Sequence, residues 1–261
     1  MGKPNIVVIL ADDLGWGDLG CYGHPFMKTP HLDQLAAEGM RLTNCHSGSP
    51  ICSPSRAALL TGREPVRCGL YGLAGADMYM RPSEITIPAL LSAGGGYQTY
   101  FLGKWHLGHF THDGVPNPGT FGFDHWFATE VNPKPTTKDP AMFFEDDAPV
   151  GPTSGWYCDI TVERAVQWLE ERDTSAPFYM QICTSEPHAP VTPPESFAEL
   201  YDDEEIHKLE PLVERGDIPI TPWSVGRPDL SRHYYGIVSQ LDAAVGRLMS
   251  ELDRLGLRED T

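Results

Sequence analysis

The stretch "NIVVILADD", residues 5–13, is a short run of aliphatic, mostly β-branched side chains that ends in two carboxylates. A continuous apolar run of this length is typical of a strand that is buried on both faces of a parallel sheet. Open α/β sheets bind their ligands beyond the carboxyl ends of such strands. The stretch therefore predicts a core strand with Asp12 and Asp13 at the ligand-binding edge.

The rest of the chain alternates between predicted helices and predicted strands. Helix signals include Thr29 as an N-cap before Pro30, and Pro54 as the first residue of a helix that Gly62 closes. The alternation predicts an α/β fold, with a mainly parallel central sheet flanked by helices. Helices are expected over residues 29–40, 54–63, 86–95, 156–172 and 231–256, and strands over residues 97–105 and 176–185.

Two segments rich in proline and acidic residues interrupt this pattern, over residues 131–153 and 190–228. Loops of this length in a compact domain are often lids or substrate walls. We therefore expect these two segments to lie on the surface and to border the substrate.

The composition excludes several classes of protein. The chain has 261 residues and a formal net charge of −17, so it is a poor candidate for binding nucleic acid or an anionic membrane surface. Any site for an anion must then be a local positive pocket. No apolar run approaches the roughly 20 residues of a membrane-spanning helix. The numbered sequence has no export signal, so we expect a cytoplasmic protein, or a periplasmic or secreted one if a signal was removed.

Further chemical groups lie beside the predicted strand ends. Lys104 and His106 follow the second strand, His188 follows the third, and Cys52 precedes a helix that carries Arg56. Each has an ordinary structural interpretation, such as a turn residue, an ion pair or a small buried hydrophobe. Together they have a chemical one. Carboxylates suit Ca²⁺ or Mg²⁺, lysine and arginine neutralise a sulfate or phosphate, a histidine protonates a leaving alcohol, and a cysteine is a nucleophile.

Several blocks of sequence resemble one family. Residues 52–56, "CSPSR", fit the C-x-P-x-R signature of the type I, formylglycine-dependent sulfatases, and residues 52–63 fit its extended form. Residues 4–25, 103–108 and 240–249 are also similar to that family, in the right order and closest to the arylsulfatases. The similarity runs from residue 4 to residue 261. It implies an alkaline-phosphatase-like fold and hydrolysis of sulfate monoesters.

The resemblance also implies a role for each candidate residue. Cys52 would be oxidised by a formylglycine-generating maturation enzyme, and one hydroxyl of the resulting diol would attack sulfur. Asp12, Asp13 and the modified Cys52 would bind a divalent cation, usually Ca²⁺, with Mg²⁺ as the alternative. The other implied roles are Arg56 holding the diol, Lys104 binding a sulfate oxygen, His188 protonating the leaving alcohol, and His106 accepting a proton as sulfate departs.

One departure from the family pattern concerns the cation site. In the family, a "DNG"-like motif supplies two further metal ligands, and another lysine lies beyond that motif. The sequence contains no such motif. We therefore expect residues 1–261 to be the N-terminal catalytic portion of a sulfatase, incomplete at its C-terminal end. The isolated chain should be inactive, because Asp12 and Asp13 would remain close, uncompensated like charges.

Three functions stay open on the sequence alone. The first is hydrolysis of a small-molecule or saccharide sulfate ester. The second is hydrolysis of phosphonate monoesters or phosphodiesters, by an enzyme of the same superfamily. The third is an inactive, sulfatase-like fragment without a catalytic role.

Overall fold

The computed structural model of the protein describes residues 2–202, Ile206 and residues 228–261. Most of the predicted surface segment 190–228 therefore lies outside the described residues. The strands are β1 (Ile6–Asp12), β2 (Gln98–Lys104), β3 (His125–Thr129), β4 (Phe144–Glu145), β5 (Ala148–Pro149) and β6 (Phe178–Pro187). The α-helices are α1 (Pro30–Glu38), α2 (Cys52–Thr61), α3 (Ile87–Gly95), α4 (Tyr157–Glu171), α5 (Glu195–Ala198) and α6 (Pro228–Arg254).

The six strands form one sheet in the order β1-β6-β2-β3-β4-β5. The pairs β1–β6, β6–β2 and β2–β3 are parallel, whereas β4 and β5 add an antiparallel hairpin at the far side. The prediction of a mainly parallel central sheet is confirmed. Because the first four strands point the same way, their carboxyl ends share one edge of the sheet.

The two faces of the sheet are covered by different helices. Tyr179 of β6 packs into a cluster with α2 and α3, whereas Phe178 and Met180 pack into a second cluster with α4 and α6. This division follows from the alternation of side chains along a strand. No helix among the described residues has an apolar stretch of the length that a bilayer requires.

Strand β1 is less buried than the sequence predicts. Residues 6–11 are half-buried and only Asp12 is fully buried. The reason is the position of the strand: among the described residues, β6 is the only strand that pairs with β1.

Two helix starts also differ in detail from the prediction. Helix α2 begins at Cys52, two residues before Pro54, which lies within the first turn, where proline is tolerated. Gly62 ends this helix in the left-handed region, as expected, with φ 64°. Thr29 precedes α1, but its hydroxyl does not cap the helix. It accepts from the Gly20 N–H at 3.0 Å and donates to Asp33 instead.

Candidate active site

The carboxyl edge of the parallel strands brings the candidate residues together. Asp12 is the last residue of β1, Lys104 is the last residue of β2, and His188 directly follows β6. Cys52 begins α2, which packs on the same sheet and carries Arg56 in its second turn. The expected convergence of these groups is therefore observed.

Asp12 lies between two buried cations. The Lys104 ammonium contacts Asp12 Oδ2, and Arg56 Nη2 lies 3.4 Å from Asp12 Oδ1. Burial raises the pKa of the Asp12 carboxyl, but the charges of Arg56 and Lys104 outweigh burial, so the pKa is lowered. The expectation of uncompensated like charges at Asp12 was therefore wrong. Its negative charge is balanced by side chains that lie far from it in sequence.

Arg56 and Lys104 concentrate positive charge at the carboxyl edge of the sheet in this strongly acidic protein. Lys104 is fully buried and Arg56 is 3% exposed. Arg56 Nη1 donates to the backbone carbonyl of Lys104 at 2.6 Å. This hydrogen bond joins α2 to β2 and so helps to fix the positions of both cations. Buried cations persist only when they are paired. Here the Asp12 carboxylate pairs with both cations.

Cys52 is half-buried at the start of α2. Burial and the nearby Asp12 carboxylate raise the pKa of its thiol. A thiol with a raised pKa is mostly protonated near neutral pH and is a poor nucleophile. The electrostatics thus disfavour the direct interpretation of Cys52 as a thiolate nucleophile.

His188 is oriented through one ring nitrogen, and the other faces Asp13. Nδ1 lies 2.6 Å from the Ala189 carbonyl oxygen and 2.9 Å from the side-chain amide of Asn132. The carbonyl contact calls for a proton on Nδ1, whereas the Asn132 amide, a donor, calls for a lone pair there, so the two contacts fix the ring orientation and not the tautomer. Nε2 points toward the site and lies 3.5 Å from Asp13 Oδ2.

Asn132 is a site residue that the sequence analysis missed. It lies three residues beyond β3, the fourth parallel strand, and that strand was not predicted. The sequence feature that could have predicted this strand is the run "HWFAT", residues 125–129, which is rich in β-forming side chains.

His106 lies deeper, two residues beyond Lys104, and is 8% exposed. Burial, together with the charges of Lys104 and Arg56, lowers the pKa of His106 to about 3. Its Nδ1 has no hydrogen-bond partner among the described residues. His106 is thus a neutral imidazole, which is the protonation state that a proton acceptor needs.

The donor groups fit a divalent cation. Three potential ligand atoms, one each from Asp12, Cys52 and His188, lie within 4.8 Å of one another. Asp13 projects at the rim with its side chain 60% exposed, in contact with His188. The cavity beside these residues has a volume of about 240 Å³ and is lined by both aspartates, Cys52 and Arg56. Carboxylate oxygens are the ligands that Ca²⁺ and Mg²⁺ prefer.

The mainly parallel sheet, with helices on both faces and the candidate residues at its carboxyl edge, has an alkaline-phosphatase-like fold. The family model described as Sulfatase matches residues 4–261. The chain belongs to the sulfatase family.

Its relatives include proteins named for sulfated saccharides. An N-acetylgalactosamine-6-sulfatase of Rattus norvegicus is 33% identical over 284 residues, which cover 99% of this chain and 48% of the relative. An ulvan-active sulfatase of Formosa agariphila is 35% identical over 263 residues, which cover 99% of this chain and 49% of the relative. The chain thus spans about half the length of the curated relatives it matches.

A solved structure supports the fold. A protein in complex with its substrate, D-glucosamine-2-N,6-O-disulfate, superposes with a TM-score of 0.77 at 24% identity. The match covers 100% of this chain and 64% of the solved one. At that identity the likeness concerns the fold alone.

Proposed function

We propose that this chain provides the N-terminal part of the catalytic domain of a hydrolase that cleaves sulfate monoesters of saccharides. The observation that carries the proposal is the pair of buried cations, Arg56 and Lys104, next to Cys52 at the carboxyl edge of the sheet. An anion pocket inside a protein of net charge −17 is a specific feature that bulk charge does not produce.

Arg56 and Lys104 bind and orient the sulfate group in this proposal. Their ammonium and guanidinium groups are already desolvated and fixed, so they stabilise developing negative charge without reorganising. Cys52 is the residue that a maturation enzyme converts to formylglycine, in accord with its weak thiol acidity. Arg56, four residues further along α2, holds the modified side chain.

A divalent cation held by Asp12, Asp13 and the modified Cys52, when bound, supplies a Lewis acid that polarises the reacting oxygens. Ca²⁺ is the proposed ion, because the donors are carboxylate and hydroxyl oxygens.

The two histidines divide the proton transfers. His188 Nε2 faces Asp13 at the rim of the site, so we assign to His188 the donation of a proton to the departing alcohol. His106 is neutral, and we assign to it the acceptance of the proton released when sulfate leaves.

The substrate class follows from the relatives. Several of them are N-acetylgalactosamine-6-sulfatases, which are named for a sulfated amino sugar. We therefore propose a saccharide sulfate ester over a simple aryl ester as the natural substrate.

The test is to express the full reading frame that contains these residues together with a formylglycine-generating enzyme. Mass spectrometry of the tryptic peptide 42–56 then measures the conversion of Cys52. Turnover is compared on an aryl sulfate, an aryl phosphodiester and a sulfated monosaccharide, with Cys52→Ala as the control.

We expect conversion of Cys52 and hydrolysis of both sulfate esters. A much higher rate on the phosphodiester would establish the alternative phosphohydrolase. Full conversion of Cys52 without turnover of any ester would instead support the non-catalytic alternative.

A further inference from the structure

The loop that follows β1 is closed by a buried carboxylate. Asp18 is 1% exposed, and its Oδ2 accepts a hydrogen bond from the Gly15 N–H at 2.9 Å. The Asp18 N–H donates in return to the Gly15 carbonyl at 3.1 Å. These bonds close residues 15–18 into a turn directly after Asp13.

A tyrosine from the last helix fastens this turn to the body of the protein. The Tyr234 hydroxyl of α6 donates to Asp18 Oδ2 at 2.6 Å, and it lies 3.5 Å from the carbonyl oxygen of Asp13. Burial and the Asp18 carboxylate raise the pKa of Tyr234, so the phenol keeps its proton and remains the donor. A buried carboxylate with such donors is held firmly, because bonds to a charged acceptor are the stronger kind.

The turn imposes a particular backbone conformation on Asp13. Its φ is 64°, in the left-handed region that side chains other than glycine adopt only when the surroundings require it. The conformation determines where the Asp13 carboxylate projects, namely 3.5 Å from His188 Nε2 at the rim of the site. A free turn would relax to negative φ and carry that carboxylate away.

We propose that Asp18 and Tyr234 are positioning residues that fix the backbone of Asp13, one of the proposed cation ligands, at the rim of the site. The inference rests on the cation site proposed above and assigns to these two residues a role in forming it. Neither residue touches the cation or the substrate. Their contribution is the fixed geometry of the ligand-bearing loop, and partners of this kind commonly change metal affinity by about 10–100-fold.

Metal affinity is the appropriate measurement, and Tb³⁺ is the probe. Tb³⁺ takes the oxygen ligands of Ca²⁺ and luminesces when a nearby tryptophan is excited. Trp16 lies three residues from Asp13, so their Cα atoms are at most about 11 Å apart. Titration with Tb³⁺, followed by displacement with Ca²⁺, gives both affinities for the full protein, and Trp16→Phe identifies the donor.

We expect Tyr234→Phe and Asp18→Asn each to weaken Tb³⁺ and Ca²⁺ binding by about 10-fold. The matched control is Tyr201→Phe. It also removes a buried tyrosine hydroxyl, but that hydroxyl bonds to Lys28 and Ser239 and not to the turn of residues 15–18. Its affinity for both ions should equal that of the wild type. Hydrogen exchange of residues 13–18 should quicken in the first two variants and stay unchanged in the control.

Two results would overturn the inference, and they differ from each other. Wild-type and Tyr234→Phe proteins with equal affinities for Ca²⁺ would refute the positioning role and leave the cation site intact. A wild-type protein that binds neither ion would refute the cation site of the proposed function, and the inference with it. A loss of affinity in Tyr201→Phe equal to that in Tyr234→Phe would assign the effect to general destabilisation.

Discussion

Replacement of Asp12 by asparagine tests the charge balance of the site. The substitution keeps the size of the side chain but leaves the buried Lys104 and Arg56 without their shared counter-charge. Removal of one partner from a buried ion pair costs about 3–5 kcal/mol. An unfolding entropy of about 0.55 kcal/mol/K for a chain of this length converts that cost into a decrease in Tm of about 5–9 °C.

The assay is thermal and urea unfolding followed by circular dichroism at pH 7 with EDTA present. Asp13→Asn is the matched control: this neighbouring carboxylate is 60% exposed, and the ion pair it forms is a single 3.5 Å contact with His188. Its loss should cost less than about 1 kcal/mol. The double variant Asp12→Asn/Lys104→Met should recover part of the lost stability, because it removes one of the stranded cations.

The pH dependence supplies a second check. The folded-state pKa of Asp12 is lowered below its unfolded value. The stability that it contributes is therefore present above the unfolded pKa of about 3.9 and is lost as the pH falls through the folded pKa. Wild type and Asp12→Asn should converge in acid. Equal melting temperatures at pH 7 would refute the argument that Asp12 neutralises the two cations.

Three further predictions concern catalysis, acid stability and the cation. Cys52→Ala should reduce aryl sulfate turnover by on the order of 10³-fold or more with little change in Tm, because Cys52 is only half-buried; retained turnover would contradict its role. Burial lowers the pKa of His24 to about 4. The stability that the neutral His24 side chain contributes to the fold is therefore fully present above about pH 6.5 and is lost as the pH falls through 4. Between pH 6.5 and 4, the unfolding free energy of the wild type should therefore decrease more steeply with falling pH than that of His24→Asn, by about 1.4 kcal/mol per pH unit. Urea titrations at pH 7, 6 and 5 measure the two slopes. Ca²⁺ at 100 times its Kd stabilises by about 2.7 kcal/mol, so chelation with EDTA should lower Tm by about 5 °C, and an unchanged Tm would contradict the cation site.

The strongest elements of the fold were predictable because their patterns are long and unambiguous. The strands β2 and β6 are rich in apolar residues, and the helices α4 and α6 have one apolar face each. Strand β3 was missed because it has five residues, and what makes it a strand is its pairing with β2 and β4. Such pairing depends on contacts between segments distant in sequence, which local patterns do not contain.

Some features of the candidate site were likewise predictable from the sequence, and others were not. Convergence of Asp12, Lys104 and His188 followed from one rule, that parallel strands present their carboxyl ends at one edge. The balance of charge at Asp12 did not follow, because it depends on close contacts between side chains of three separate elements. The contact of Asn132 with His188 could not be predicted from the sequence for the same reason.

The position of β1 at the margin of the sheet has a consequence for handling the purified chain. Among the described residues one side of this strand has no pairing partner, and its sequence "IVVIL", residues 6–10, is uncharged and strongly β-forming. Exposed edges of this composition pair with one another and seed aggregates. A net charge of −17 opposes such contacts, but about 0.1 M salt screens charges beyond about 10 Å. Light scattering should therefore show intermolecular association that increases with ionic strength.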